Sequence, residues 1–356
     1  MNDRSKELWL TLMQSHLTDG EAPTTEELEA PWYIKTLQAF SGWFASLFLF
    51  SFFGIFFDSI FENGIFATIT GVLMIVGAFF ILNKPQSDFM EHIALALSLA
   101  GQGMVIVGLF VLHTFTYEIV FFEIALMEIV LAVVMPNFIH RVFSSFFAVI
   151  FLIVVPNTLE MPYTLTYTLM FFTVWLWLHE FSYPERIRTV HGIGYGLTLA
   201  IISAKCTSLF NWTSLLGKFP QNSFDFQLQE ILGEAFSGVI LLYVVFVLLQ
   251  QNNIKMKEKT SILALGGTIL LSLASMEAPG IAFGVTIILL GFAGSNITLQ
   301  GLGVISLLFY ISVYYYTLES TLLDKSMTLL LIGVVLLGAR WIIIKLTTEE
   351  NEVENA

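Results

Sequence analysis

Twelve strongly apolar stretches, each near the length that crosses a bilayer, follow one another along the 356 residues with little polar sequence between them. Lipid admits only helices and closed barrels as spanning structures, and these segments read as helices. The expected spans are 36–57, 64–82, 91–112, 115–135, 138–155, 162–180, 189–209, 231–250, 260–276, 280–294, 299–318 and 326–346. The fold class is therefore all-α, a polytopic transmembrane helix bundle of about twelve spans, with ten or eleven allowed because the fifth, ninth and tenth are short. Breaks are expected at Asn83-Lys84-Pro85, Met135-Pro136-Asn137, Val155-Pro156-Asn157, Tyr183-Pro184 and Ala278-Pro279-Gly280. Twelve spans at about 20 residues each leave no room for a second domain of ordinary size. Residues 1–35 are expected as a cytoplasmic segment with a short amphipathic helix, 36–346 as one transmembrane domain, and 347–356 as a disordered acidic tail.

Basic residues orient the bundle. With the N-terminus inside, twelve of the fifteen Lys and Arg fall on the cytoplasmic side, among them Arg141, Arg186, Arg188 and Arg340. Only Lys205, Lys218 and Lys325 fall outside, which favours both termini inside and an even span count. Much of the net charge of -13 lies in the two tails, whose glutamates argue against nucleic-acid binding. The start MNDRSKELWL lacks the pattern of a cleaved signal, so the first span is expected to serve as its own insertion signal. Pro31-Trp32-Tyr33-Ile34-Lys35 and Tyr314-Tyr315-Tyr316 read as interfacial anchors. The spacings Gly192/Gly196 and Gly280/Gly284 read as close helix packing.

The chemistry of common enzyme sites is absent from the sequence. A lone Cys206 offers no intramolecular disulfide or thiolate site, the six histidines form no close ligand pair, and no cofactor is expected. There is no GxxxxGK[ST] loop and no GxSxG elbow.

The fourth stretch carries Glu118, Glu123 and Glu128. A charged carboxylate at a helix centre costs about 2.5 to 3.5 kcal/mol in the membrane, so each must be neutral, paired or near water. Steps of five residues turn a helix by about 140°, and the three do not share a face. Counting about 1.5 Å per residue from Thr114, Glu118 lies about 6 Å deep, Glu123 about 13 Å and Glu128 about 21 Å. Lys205 falls near the depth of Glu118 and Arg340 near that of Glu128, as pairing partners. Gln102 lies level with Glu123 and is placed to hydrogen-bond a neutral acid there. No cation is level with Glu123, which makes it the candidate proton or cation site of a transporter-like protein. The alternative is a non-catalytic membrane subunit whose carboxyls are glue between helices. Glu234, Glu277 and the His179-Glu180 pair read as interfacial and solvated. The longest external loop, 210–230, is expected to hold an interfacial helix at most.

Leu8-Trp9, Pro31-Trp32-Tyr33-Ile34-Lys35, Phe40-Ser41-Gly42-Trp43 and the run from Tyr314 through Glu319 and Asp324-Lys325 to Ser326 resemble an uncharacterised family of bacterial polytopic membrane proteins, domain of unknown function 4401. The resemblance implies a bacterial inner-membrane location, with a second multi-span protein and an envelope protein bearing a GDYxxLxY motif as neighbours. It brings no reaction and no catalytic residue. Tyr316, Glu319, Asp324 and Lys325 form an external hairpin that is a candidate docking surface for such a partner.

Overall fold

The structure, a computed structural model, describes residues 32–56, 62–84, 88–113, 117–158, 164–209 and 224–317, with isolated positions near either end. Among these residues there is no strand and there are eleven α-helices: α1 Trp32–Phe56, α2 Gly64–Leu82, α3 Asp88–Leu112, α4 Tyr117–Val134, α5 Phe138–Thr158, α6 Thr164–Leu178, α7 Ile187–Leu209, α8 Phe224–Gln251, α9 Lys259–Glu277, α10 Ile281–Ala293 and α11 Ile297–Thr317. They fall on the first eleven expected stretches. The twelfth, beyond its first two residues, lies outside the described residues. Among the described residues six segments are long and apolar enough to cross a membrane: Gly64–Leu82, Met90–Leu112, Phe138–Val155, Ile231–Gln251, Lys259–Met276 and Ile297–Tyr316. Leu165–Leu178 and Ile281–Ala293 are apolar but shorter.

The helices are inside-out by the standards of a soluble bundle. α4 exposes Phe122, Leu126, Val130 and Val133 and buries Ala125, Glu128 and Ala132. α2 exposes Phe66, Ile69, Leu73 and Phe80 and buries Gly64, Gly71 and Ala78. Water would penalise such an outward face; lipid does not, and it leaves close packing of small residues to hold helices together. These observations make the chain an all-helical membrane protein.

The helices cluster into two units, residues 1–155 with 188–196, and residues 156–187 with 197–356. In the first unit α3 takes the centre. Gly101 and Gly108 of α3 meet Gly71 and Gly64 of antiparallel α2, and a Cβ on Gly64 would lie 2.7 Å from the Gly108 carbonyl oxygen. Gly103, two positions on, faces the ring of Phe50 of α1. α5 and the first part of α7 run parallel, with Gly192 on Arg141 and Gly196 on Ser145. The sequence spacing signalled that contact; the seven-residue pairs of α2 and α3 went unnoticed.

In the second unit α8 is central. Its Gly233 lies under the ring of Tyr167 of α6, and its Gly238 lies against Ser272 of α9. α10 and α11 form a hairpin sealed by Gly284 on Leu307, Gly291 on Gln300 and Gly303 on Ile288. Gly280, in the break before α10, adopts φ 93°, a left-handed value that an L side chain rarely tolerates.

Three expectations are corrected. α5 continues through Pro156 to Thr158: proline in the last turn frees few backbone bonds, and membrane helices tolerate it. α1 begins at Trp32, so the interfacial aromatics belong to its first turn. α8 begins at Phe224, so 224–230 is not loop but its first two turns.

Candidate functional site

Each unit buries a network of polar and ionisable side chains among the described residues. In the first, two helices each present a pair one turn apart, Ser98 and Gln102 on α3, and His140 and Ser144 on α5. Ser98, His140 and Ser144 are 0% exposed and Gln102 4%. Asn137 caps α5, its Oδ1 accepting from the His140 backbone N–H at 2.8 Å, while its side-chain amide donates to Glu91 on α3. That cap fixes the start of α5 and thereby the depth of His140.

His140 Nε2 lies 2.7 Å from Ser98 Oγ and 3.1 Å from the Gln102 amide nitrogen, and its Nδ1 lies 3.2 Å from Ser144 Oγ. An amide nitrogen only donates, so Nε2 is the acceptor and the neutral ring carries its proton on Nδ1. Nδ1–H then donates to Ser144, whose hydroxyl is free to donate onward. It is within hydrogen-bonding reach of Glu128 on α4, which is 1% exposed. The second carboxyl oxygen of Glu128 is buried with no hydrogen-bond partner. The network thus runs from amide to imidazole to hydroxyl to carboxyl and ends on an acceptor with spare capacity.

The second network is closed. Lys205 of α7 donates to the carboxylate of Glu234 on α8 and, at 3.0 Å, to the hydroxyl of Tyr167, and its ammonium sits 4.3 Å from the centre of that ring. Glu234 Oε2 accepts from Ser275 at 3.0 Å and from the Gly280 backbone N–H at 3.3 Å. Ser275 Oγ accepts in turn from the Ala282 N–H at 3.1 Å, so the carboxylate also orders the turn into α10. Glu234 is 1% exposed and Lys205 5%. The ion pair is dry and well satisfied, the condition under which a buried pair is tolerated.

The sequence-level candidates fare unequally. Glu128 is the buried carboxyl of α4. Glu123 is half-exposed and faces His113 at the end of α3, with Nε2 and Oε2 3.4 Å apart and no hydrogen-bond geometry. Glu118 lies in the first turn of α4, half-buried. The expected pair of Lys205 with Glu118 gives way to Lys205 with Glu234, and the expected bond of Gln102 to Glu123 gives way to Gln102 with His140. Equal depth selects a level in the membrane but not which helices are neighbours.

Glu234 itself was expected at a solvated end. Because α8 starts at Phe224, it lies about 15 Å along the helix at 1.5 Å per residue. Glu180 is buried too, at 3% exposure, against the same expectation. His179 stays half-buried, stacked on Trp175 at 5.0 Å. Glu277 is the last residue of α9. Tyr316 is 80% exposed near the end of α11, whereas Glu319, Asp324, Lys325 and Arg340 lie outside the described residues. His140 and Ser144 were missed, although a polar pair at i, i+4 inside an apolar helix was a readable signal.

A family model described as a domain of unknown function, DUF4401, matches residues 31–346. The chain belongs to this family. DUF4401 membership covers both networks and assigns neither a role. No curated protein and no solved structure matches the chain.

Proposed function

We propose that this DUF4401 protein is a transporter-like membrane protein in which Glu128, backed by Ser144 and His140, takes up and releases a proton. The observation that carries the reading is the buried Glu128 carboxyl, with one oxygen in reach of Ser144 and the other without a partner. An ionisable group kept at that depth, on the inner face of an apolar helix, is the usual mark of a proton or ion pathway. One carboxyl and one imidazole, joined by neutral hydroxyls and an amide, suit a proton better than a divalent metal, whose sites draw on several carboxylates, imidazoles or thiolates; among the described residues no three such side chains cluster. His140 is the titratable neighbour on α5, and Glu91 on α3 joins through Asn137. The role first read for Glu123 moves five residues along the same helix. Twelve spans with both ends cytoplasmic, in keeping with the basic-residue count, and a bacterial inner membrane complete the proposal.

Infrared difference spectra recorded across a pH titration of the protein in membranes test the assignment. The parent is expected to show a protonated-carboxyl C=O band that titrates, lost in Glu128→Gln and kept in Glu123→Gln. A band lost only in Glu123→Gln, or no titrating carboxyl at all, contradicts it.

The alternative, a non-catalytic subunit that docks an external partner such as the GDYxxLxY protein, draws support from Tyr316 and Leu323, exposed to 80% and 74%. It predicts co-purification through that hairpin.

A further inference from the structure

Two arginines lie near each other at one end of the first unit. Arg141 lies in the first turns of α5 and Arg188 is the second residue of α7. Gly192 brings these parallel helices together: a Cβ there would lie 3.1 Å from the Arg141 Cβ and 3.6 Å from its Cδ, so the arginine stem runs across the glycine. Arg188 precedes Gly192 by one turn and shares its face, and side chains on a helix lean toward its N-terminus. The Arg141 guanidinium therefore extends toward Arg188, whose charge acts on it.

This arrangement concentrates positive potential. The two helix N-termini lie side by side with a cation in each first turn; Asn137 caps α5 and the Ile187 N–H is bonded to Pro184, and the helix dipoles still favour an anion as neighbour there. Among the described residues neither arginine has an ion-pair partner, and the Nε of Arg141 is buried without a hydrogen-bond acceptor. The acid closest along the network, Glu91, is bonded instead to Asn137.

We propose that Arg141 and Arg188 form a binding site for a phosphate group, gripped between the two guanidinium forks at the ends of α5 and α7. Planar forks match phosphate oxygens two at a time, and the site lies at helix ends, the level of lipid headgroups. Arg188 is exposed, which leaves the site open to its ligand.

A fluorescent phosphatidylglycerol titrated against the detergent-purified full chain tests the site, with unlabelled phosphatidylglycerol, phosphatidylcholine and inorganic phosphate as competitors. Arg141→Gln and Arg188→Gln are each expected to weaken binding about tenfold, the loss of one charge-assisted contact. Arg186→Gln, which removes an exposed charge from the turn before α7, is expected to bind as the parent does. Displacement by phosphatidylglycerol alone identifies a lipid headgroup as the source; displacement by inorganic phosphate as well identifies a soluble phosphate. Equal displacement by phosphatidylcholine overturns the site. So does parent-like binding by Arg188→Gln, an exposed position at which folding is not at stake, or an equal loss in Arg186→Gln.

Discussion

Glu234 and Lys205 hold each other charged in a place without water, and the bonds from Tyr167, Ser275 and Gly280 make that tolerable. Removing one partner strands the other. Glu234→Leu or Lys205→Met alone is expected to cost about 3 to 5 kcal/mol, whereas the double change costs less than either single one. Denaturant or thermal unfolding in detergent reads the difference, and additive losses would contradict a mutual pair. At this scale the sequence was legible as to which residues are out of place in lipid, since Gln102, Glu128 and Lys205 all prove buried, and Gln102 and Lys205 bonded. It was not legible as to partners. A depth count is one coordinate, and the choice between Glu118 and Glu234 for Lys205 depends on helix neighbours, which the count does not contain.

The helices meet through glycine rather than through large apolar side chains, as expected where lipid competes equally well for leucine. Gly71 and Gly101 admit no side chain, because a Cβ on either would meet the opposite backbone carbonyl. Gly101→Leu is expected to separate α2 from α3 and lower the yield of folded protein, a loss of at least about 1 to 3 kcal/mol by overpacking. Gly301, on α11, has nothing within 4 Å of where its Cβ would lie. Gly301→Ala is expected to gain about 0.5 to 1 kcal/mol from helix propensity alone. Melting temperatures of the two variants check both signs. Element ends were largely readable, since Pro136, Pro184 and Gly280 break helices where the backbone demands it. Pro156 misled because a proline in a final turn costs few bonds, and the start of α8 was hidden by Asp225 and polar neighbours that the helix absorbs.

At the scale of the whole molecule, apolarity decided the class, and the outward aliphatic faces of α2 and α4 agree with it. Which of the interior polar groups matters most was beyond composition, because Glu123 and Glu128 differ only in which way one helix is turned. The structure turns Glu128 inward, toward the Ser144 that is bonded to His140, and leaves Glu123 half-exposed beside His113. A carboxyl that binds protons inside the membrane moves charge through part of the transmembrane field, whatever else the protein carries. Proteoliposomes on a solid-supported membrane, given a sudden pH jump, report that displacement directly. The account predicts a transient current in the parent and in Glu123→Gln and none in Glu128→Gln; a parent without current, or a Glu128→Gln variant with an undiminished one, would contradict it.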